Sequence, residues 1–169
     1  MKDFATARLT AEKLNLAHLN DLTRLHLDPE VSHYLGGVRS PEATKTYLDI
    51  NLAHWAEHGF GLWVLRTRDG AFVGRAGLRH IELESAQEIE IAYSFVRTHW
   101  GQGLATEIAG ALINLWLTKL HSLSLVGVVS VENGASRRVL EKSGFVFERT
   151  GVYHDTEVVI FRHTRPARS

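Results

Sequence analysis

Apolar residues in the first third of the chain recur every three or four positions, which is the period of a helix that buries one face. Leu19, Leu22 and Leu25 show this spacing, and Asp28-Pro29-Glu30 interrupts it because proline cannot continue a helix. Four elements are predicted here: a strand around 7–11, a helix capped by Asn15, a short helix over 31–35, and a longer helix that Ser40-Pro41 opens and Gly59 ends.

After residue 59 the spacing changes to two, as in strands that bury one face. Strands are predicted over 60–67, 71–79 and 88–96, with a tight turn at 68–70 and a turn region at 82–87, and together they form an antiparallel meander. The third strand carries Ile89, Ile91, Tyr93 and Phe95 on one face and Glu88, Glu90, Ala92 and Ser94 on the other.

The remaining pattern alternates between helices and strands, so the fold class is mixed α/β or α+β. An almost continuous apolar run at 123–131 is typical of a strand buried on both faces. The other predictions are a long helix over about 104–120, a short helix over 135–142, strands over 145–148 and 158–163, and a loose basic tail over 165–168.

Composition and charge narrow the function classes. The 169 residues are 44% hydrophobic and 22% charged, as in one soluble domain spanning 1–169. The net charge of +0 predicts no nucleic-acid or membrane partner, and no secretion signal is recognisable at the start, so a cytoplasmic protein is expected. The lack of cysteine excludes disulfides and a cysteine nucleophile.

A tight glycine loop before the long helix is the strongest candidate for a binding site. Gly101 and Gly103 flank Gln102, and glycine lets a ligand approach the backbone N–H groups closely. The first turn of the following helix leaves N–H donors unpaired, and the helix dipole favours an anion there. The loop therefore predicts a site for a phosphate or diphosphate.

Three classes of protein use such a loop. A P-loop requires GxxxxGK[ST], which the sequence does not contain. A Rossmann loop requires a third small residue, where Thr106 stands, and an acid about 20 residues further on, whereas the next acid after Glu107 is Glu132. The third class holds coenzyme A, and a plain strand–helix connection is the alternative without a ligand.

The loop resembles the coenzyme A loop of the GCN5-related N-acetyltransferases (GNAT), which reads [RQ]-x-x-G-x-[GA]. Trp100 stands at its first position, Gly103 at its fourth and Ala105 at its sixth, and tryptophan suits the RimJ/RimL-like branch. A second segment, 133–145, resembles that branch's N-x-x-S-x-x-v-x-x-K-x-G-F. With both motifs in order, the chain is identified as a member of this family.

The resemblance implies a GNAT fold, with a mostly antiparallel central sheet splayed near its middle and helices on both faces. It implies acetyl-coenzyme A as cosubstrate, an amine as acceptor and no metal. The backbone of Phe95 and Val96 would pair with the pantetheine arm, and Asn133 would bond that arm or hold the adjacent turn. The diphosphate would lie on the N–H groups of Gly101, Gly103, Leu104, Ala105 and Thr106.

The amine must lose a proton, since a protein α-amine has a pKa of about 8 and is mostly charged at neutral pH. By resemblance the base is Glu90, the glutamate of the family's E-[IL]-G-Y segment, here Glu90-Ile91-Ala92-Tyr93. Glu88 on the same face is the second candidate, and Glu157 is a distant third. Glu88 and Glu90 could instead be the solvated face of a strand.

Many relatives carry a tyrosine that protonates the leaving thiolate, and Leu140 stands at that position here. Ser136 takes the role by resemblance to the RimJ/RimL-like branch, although it could also be a serine that satisfies local backbone. Asn133-Gly134 could likewise be a simple turn.

The remaining predictions concern metal and acceptor. His54 and His58 fit H-x-x-E-H, but Gly59 ends the helix and no segment offers a third ligand, so no metal is predicted. The resemblance favours a protein N-terminal α-amine as acceptor, with a small-molecule amine as the alternative, in a monomer or homodimer. The alternative from another class is a non-catalytic module that binds or senses acyl-coenzyme A.

Overall fold

An eight-stranded sheet flanked by five α-helices forms the fold, in a computed structural model that describes residues 1–167. The elements in chain order are β1 (Phe4–Ala5), β2 (Leu9–Lys13), a 3-10 turn (Leu16–His18), α1 (Leu19–Leu27), α2 (Pro29–Ser32), α3 (Pro41–His58), β3 (Leu62–Thr67), β4 (Phe72–Leu83), β5 (Ala86–Phe95), a 3-10 turn (Arg97–His99), α4 (Leu104–Lys119), β6 (Ser124–Ser130), α5 (Gly134–Lys142), β7 (Val146–Tyr153) and β8 (Thr156–Thr164). None of the helices within residues 1–167 is long and apolar enough to cross a membrane.

The strands lie in the order β1-β2-β3-β4-β5-β6-β8-β7, and each neighbouring pair is antiparallel except β5 and β6. The predicted meander is β3, β4 and β5, in which Ala76 of β4 lies between Trp63 and Tyr93. Helix α4 carries the chain from the end of β5 back to the start of β6, which makes this pair parallel. The predicted mixed, mostly antiparallel sheet is confirmed.

The two faces of the sheet are covered by different helices. On one face the Tyr93 hydroxyl of β5 contacts Ser136 of α5, and α4 packs beside it. On the other face the Arg75 guanidinium of β4 lies 5.3 Å from the ring centroid of Tyr47 in α3. The largest fully buried side chains of the core are Trp63, Trp116 and Phe161.

Both ends of α3 are the ones that the sequence predicts. Ser40 Oγ accepts a hydrogen bond from the Ala43 N–H (3.1 Å), and Gly59 ends the helix in the left-handed region at φ +72°. Asn15 is also a cap, but of the 3-10 turn before α1: its Oδ1 accepts from the Ala17 N–H at 2.9 Å.

Two hairpins turn more tightly than the sequence pattern predicts. Glu84-Ser85 alone joins β4 to β5, at φ +49° and +69°, where the pattern predicts a longer turn over 82–87. Strand β7 continues to Tyr153 instead of stopping at 148, and His154-Asp155 forms the next turn at φ +48° and +58°. Neither turn contains the glycine that usually marks this conformation, so the strands predicted from the sequence pattern are shorter than the observed ones.

The predicted loose tail over 165–168 is wrong at its first residue. Arg165 donates to the carbonyls of Leu117 and Leu120 (both 2.8 Å), and its guanidinium lies 5.0 Å from the ring centroid of Trp116. The last carbonyls of a helix have no partner within it, so Arg165 caps the end of α4. Arg168 lies outside the described residues.

Candidate active site

The parallel strands β5 and β6 part toward their carboxyl ends. Glu90 and Val126 form the one aligned pair between them, and beyond this pair the two strands continue to Phe95 and Ser130 without pairing with each other. This opening, called the cleft below, is the splay that the sequence analysis expects in the middle of the sheet.

The backbone of β5 offers hydrogen-bonding groups to the cleft. The Val96 N–H donates to the Val73 carbonyl of β4 at 2.9 Å, and hydrogen-bonded residues alternate along an antiparallel pair. The N–H and C=O groups of Tyr93 and Phe95 therefore point away from β4, toward the cleft. The Phe95 carbonyl already accepts from Trp100 Nε1 (2.8 Å), so the tryptophan of the loop orients this edge.

The glycine loop ends at the start of α4 with its backbone in the left-handed region. Gly101 has φ +69° and Gly103 has φ +76°, conformations that residues with a side chain rarely adopt. Gly103 is the N-cap, and no side chain caps the helix there. The first N–H groups of α4, at Leu104, Ala105 and Thr106, therefore remain available to an anion.

The loop is fastened to the amino-terminal segment of the chain. Arg8 Nη1 donates to the Gln102 carbonyl (2.7 Å), and Arg8 Nε pairs with Glu107 Oε2 (2.6 Å). Glu107 also accepts from the Thr6 hydroxyl (2.6 Å) and the Arg8 N–H (2.8 Å). Partial burial alone would raise the pKa of Glu107, but these bonds hold it below its ordinary value, so the carboxylate stays charged.

Helix α5 begins on the other side of the cleft. Asn133 Oδ1 accepts from the Ser136 N–H (3.1 Å) and so caps the helix, which is the structural alternative that the sequence analysis left open. Ser136 Oγ lies 3.0 Å from Tyr93 Oη. Burial raises the pKa of Tyr93 to about 12 although the bond to Ser136 opposes this, so both groups are neutral hydroxyls at physiological pH. Leu140, at the position of the relatives' tyrosine, is buried.

A cavity of about 460 Å³ joins the cleft, the loop and α5. Eight predicted site residues line it: Phe95, Gly101, Gly103, Leu104, Ala105, Thr106, Asn133 and Ser136. Val96 and Glu90 are not among its lining residues, and the Val96 N–H is used by β4. Among the other lining residues are Tyr93, Ser94, Arg138 and Lys142, to which the sequence analysis assigns no role.

The positions of Arg138 and Lys142 on the cavity could have been predicted from the second sequence motif. Both belong to the second motif, four residues apart, so that α5 presents them on one side. They bring positive charge to a cavity that also contains the unpaired N–H groups of α4. A ligand with several phosphates suits this combination.

Two of the three candidate bases, Glu90 and Glu88, pair with an arginine. Glu90 is 5% exposed, and its Oε2 accepts from Arg79 Nε at 2.8 Å. Burial lowers the pKa of Arg79, but the charge of Glu90 outweighs it and raises that pKa above its ordinary value. Glu88 is held by Arg162 (2.7 Å), and Glu157 is exposed on β8 opposite Val152.

The histidines of the H-x-x-E-H match are engaged in other contacts. His54 Nδ1 bonds the Phe60 carbonyl (2.8 Å), and His54 Nε2 accepts from the His80 N–H (2.9 Å). Since both ring nitrogens are occupied, His54 has no lone pair for a metal. Within residues 1–167, no three histidine or acidic side chains are placed to hold a metal ion.

A family model described as an acetyltransferase (GNAT) domain matches residues 8–146. The chain belongs to this family, which confirms the resemblance to the GNAT family, and it is an acetyl-coenzyme A-dependent N-acetyltransferase.

The chain is similar to three further proteins over nearly its whole length. The uncharacterized N-acetyltransferase p20 of Bacillus licheniformis is 28% identical over 163 residues, which are 93% of this chain and 88% of p20. The crystal structure of an acetyltransferase from Agrobacterium tumefaciens is 26% identical, with a TM-score of 0.86 over 98% of this chain and 95% of that one. RimL, a ribosomal L7/L12 α-N-protein acetyltransferase solved with coenzyme A, shares the fold at 18% identity and a TM-score of 0.80, over 96% and 98% of the two chains.

Proposed function

We propose that the protein transfers the acetyl group of acetyl-coenzyme A directly to a primary amine in a ternary complex. The acceptor is a protein N-terminal α-amine, as the name of RimL states for that enzyme, or a small-molecule amine. The proposal rests on one observation above all: the uncapped start of α4, the free edge of β5 and the Ser136 hydroxyl line one cavity.

The donor would be held at three places. N–H groups at Gly101, Gly103 and the first turn of α4 bind the diphosphate, and Arg138 and Lys142 add charge for the phosphates. Hydrogen bonds to a charged group contribute roughly 1.5–3 kcal/mol each, so a few suffice for micromolar affinity. The Phe95 N–H pairs with the pantetheine arm, which enters the cleft beside β5.

The chemistry then needs a neutral amine and a leaving thiolate. The amine nitrogen attacks the thioester carbonyl carbon, the C–S bond breaks, and the amine proton passes to Glu90. Glu90 lies at the closed end of the cleft and is not in the cavity lining, so a water molecule relays the proton. The Ser136 hydroxyl, backed by Tyr93, donates a hydrogen bond to the departing sulfur. Because a thiol has a pKa of about 8.5, the thiolate is already a fair leaving group, and its departure needs less assistance than deprotonation of the amine.

A thiol-release assay tests the proposal. Because the chain contains no cysteine, a thiol-reactive dye reports free coenzyme A alone. We expect thiol release that depends on both acetyl-coenzyme A and an amine from a panel of peptides, amino acids, polyamines and aminoglycosides. A control variant is Asp49→Asn, which removes an exposed carboxylate that pairs with Lys45 on α3 and should release thiol as the wild type does. Binding of acetyl-coenzyme A with no thiol release from any amine would mean that the chemistry is lost, as in a sensor.

A further inference from the structure

The face of the sheet that carries Glu90 also carries two arginines of β4. Arg79 lies directly opposite Glu90 and pairs with it, and Arg75 lies opposite Ser94, which lines the cavity. Side chains four residues apart on a strand share one face. Arg75 therefore lies on the side of the cleft where the candidate base lies, away from Tyr93 and Ser136 on the other face.

Arg75 is buried without a counter-ion. It is 3% exposed, its Nε has no hydrogen-bond partner, and no carboxylate within residues 1–167 pairs with it. Its guanidinium faces the Tyr47 ring at 5.3 Å, and the Tyr47 hydroxyl is also buried without a partner. Burial is the main cause that lowers the pKa of Arg75. Buried charges in proteins are normally paired, so this group is exceptional.

The surroundings of Arg75 add positive charge. Arg39 lies 4.7 Å from the same Tyr47 ring, and its Nη1 is 3.3 Å from His26 Nε2. Burial, then the charges of Arg75 and Arg39, lower the pKa of His26 to about 3, so this histidine is neutral. The nearby carboxylate of Glu90 is already paired with Arg79. Arg39, Arg75 and Tyr47, called the arginine–tyrosine cluster below, thus hold two positive charges without an acid.

We propose that the arginine–tyrosine cluster binds a carboxylate of the acceptor, so that the acceptor is a small aminocarboxylate. This inference rests on the proposed function, whose acceptor class it names. The carboxylate would accept from Arg75 Nε and the Tyr47 hydroxyl, the two buried donors that lack partners. Its amine would point toward Glu90 and the thioester at the parted strands.

The chemistry of the cluster explains why the bound group would be a carboxylate and why the acceptor would be small. A guanidinium matches a planar carboxylate with parallel hydrogen bonds, which ammonium groups cannot do. The two positive charges repel polyamines and aminoglycosides, which would need an acidic pocket. Because Arg75 is almost wholly buried, any group that binds it must be as small as a carboxylate on a short chain, which excludes a folded polypeptide.

The first measurement compares each aminocarboxylate with its neutral amide. Glycine, β-alanine and γ-aminobutyrate place the carboxylate at three distances from the amine, and glycinamide, β-alaninamide and γ-aminobutyramide lack the carboxylate charge. Turnover is followed by thiol release, and binding by calorimetry with enzyme saturated with coenzyme A. We expect at least one carboxylate to bind, and to react, about 10-fold or more better than its amide.

The second measurement locates the preference in the cluster. Arg75→Gln should bring the ratio of carboxylate to amide affinity close to one, while acetyl-coenzyme A still binds. If that variant does not fold, Arg39→Gln and Tyr47→Phe, each at the partly exposed side of the cluster, should each lower the ratio. Arg24→Gln removes an exposed charge from α1 and should leave the ratio unchanged.

Each outcome decides a different question. Equal use of carboxylate and amide, or an unchanged ratio in both Arg75→Gln and Arg39→Gln, would overturn the acceptor assignment and leave acetyl transfer intact. Acetylation of peptides with an acidic first residue but of no free aminocarboxylate would overturn the small acceptor. Carboxylate binding that depends on Arg75 without any turnover would support the cluster and refute the proposed function.

Discussion

The hydroxyl oxygens of Tyr93 and Ser136 lie 3.0 Å apart, one on β5 and the other on α5, across the mouth of the cleft. Tyr93 Oη also donates to the Ser136 carbonyl at 3.2 Å, so the two residues join the strand edge to the start of the helix. Two neutral hydroxyls in contact can replace each other as donors to a leaving sulfur.

Ser136→Ala should therefore lower kcat by less than about 10-fold, because Tyr93 remains to donate. Tyr93→Phe should have an effect of similar size, and the double variant should lose more than the product of the two single losses. Steady-state kinetics at saturating acetyl-coenzyme A measure this. If the double variant lost no more than either single one, the two hydroxyls would act as one unit and could not replace each other.

Glu90→Gln should lower kcat more than Ser136→Ala, by about 10²-fold or more, because it removes the proton acceptor. The rate of this variant should rise with pH as the fraction of neutral amine increases, whereas the wild type should level off earlier. Glu88→Gln is the matched control, since Glu88 also pairs with an arginine, Arg162. A larger loss in Glu88→Gln would transfer the role of base to Glu88.

Loss of the Glu90 charge also leaves Arg79 without its partner, so the free energy of unfolding should fall in the same variant. Thermal unfolding and acetyl-coenzyme A binding must therefore accompany the kinetics. A variant that binds the cosubstrate normally but fails to react would separate the chemical role of Glu90 from its structural one.

Arg8→Ala should raise the KM for acetyl-coenzyme A several-fold and leave kcat with saturating cosubstrate nearly unchanged. Arg8 holds the Gln102 carbonyl and Glu107, so its loss frees the loop that binds the diphosphate without touching the reacting atoms. Arg8→Lys, which cannot bridge both partners, should resemble the alanine variant. Arg68→Ala is the control, because Arg68 contacts the same amino-terminal segment at Thr6 but not the loop. A fall in kcat with an unchanged KM would contradict this positioning role.

Stability should depend on pH through His26. Burial lowers its pKa in the folded state to about 3, whereas the unfolded chain has the ordinary value of 6.5. The unfolded state therefore binds more protons between these values, and stability is present above pH 6.5 and is lost as the pH falls toward 3. The extra loss should approach 1.4 kcal/mol per pH unit.

Denaturant unfolding of the wild type and of His26→Gln between pH 7 and 4 isolates this effect, since other groups titrate equally in both. The wild type should show the steeper dependence. An NMR titration that found the His26 imidazole charged at pH 5 in the folded protein would contradict the expectation.

Much of the fold follows from local pattern, and the site follows from two motifs. Ser40 and Gly59 mark the ends of α3 correctly because caps depend on neighbouring residues alone. The loop residues Gly101 and Gly103 have the left-handed conformation for which glycine is suited. The sequence alone indicates the family because the loop and the α5 segment are each contiguous in sequence. The structure then places both segments on one cavity.

Long-range pairing explains what the sequence did not show. The sequence pattern predicts that Arg165 belongs to a loose tail, yet it binds carbonyls more than forty residues earlier in the chain. The arginine–tyrosine cluster brings together residues 39, 47 and 75 from a loop, a helix and a strand, and no local pattern in the sequence links these three positions. Such contacts depend on how distant elements pack against one another, which hydrophobic spacing along the chain does not determine.

The single aligned pair between β5 and β6 divides the sheet into a five-stranded and a three-stranded half. A pantetheine arm that lies between them would act as an additional strand, so the protein gains part of its hydrogen-bonded framework from its own cosubstrate. Amide protons at Tyr93 and Phe95 should then exchange more slowly when coenzyme A is bound, and the two halves should unfold as one unit at a higher temperature.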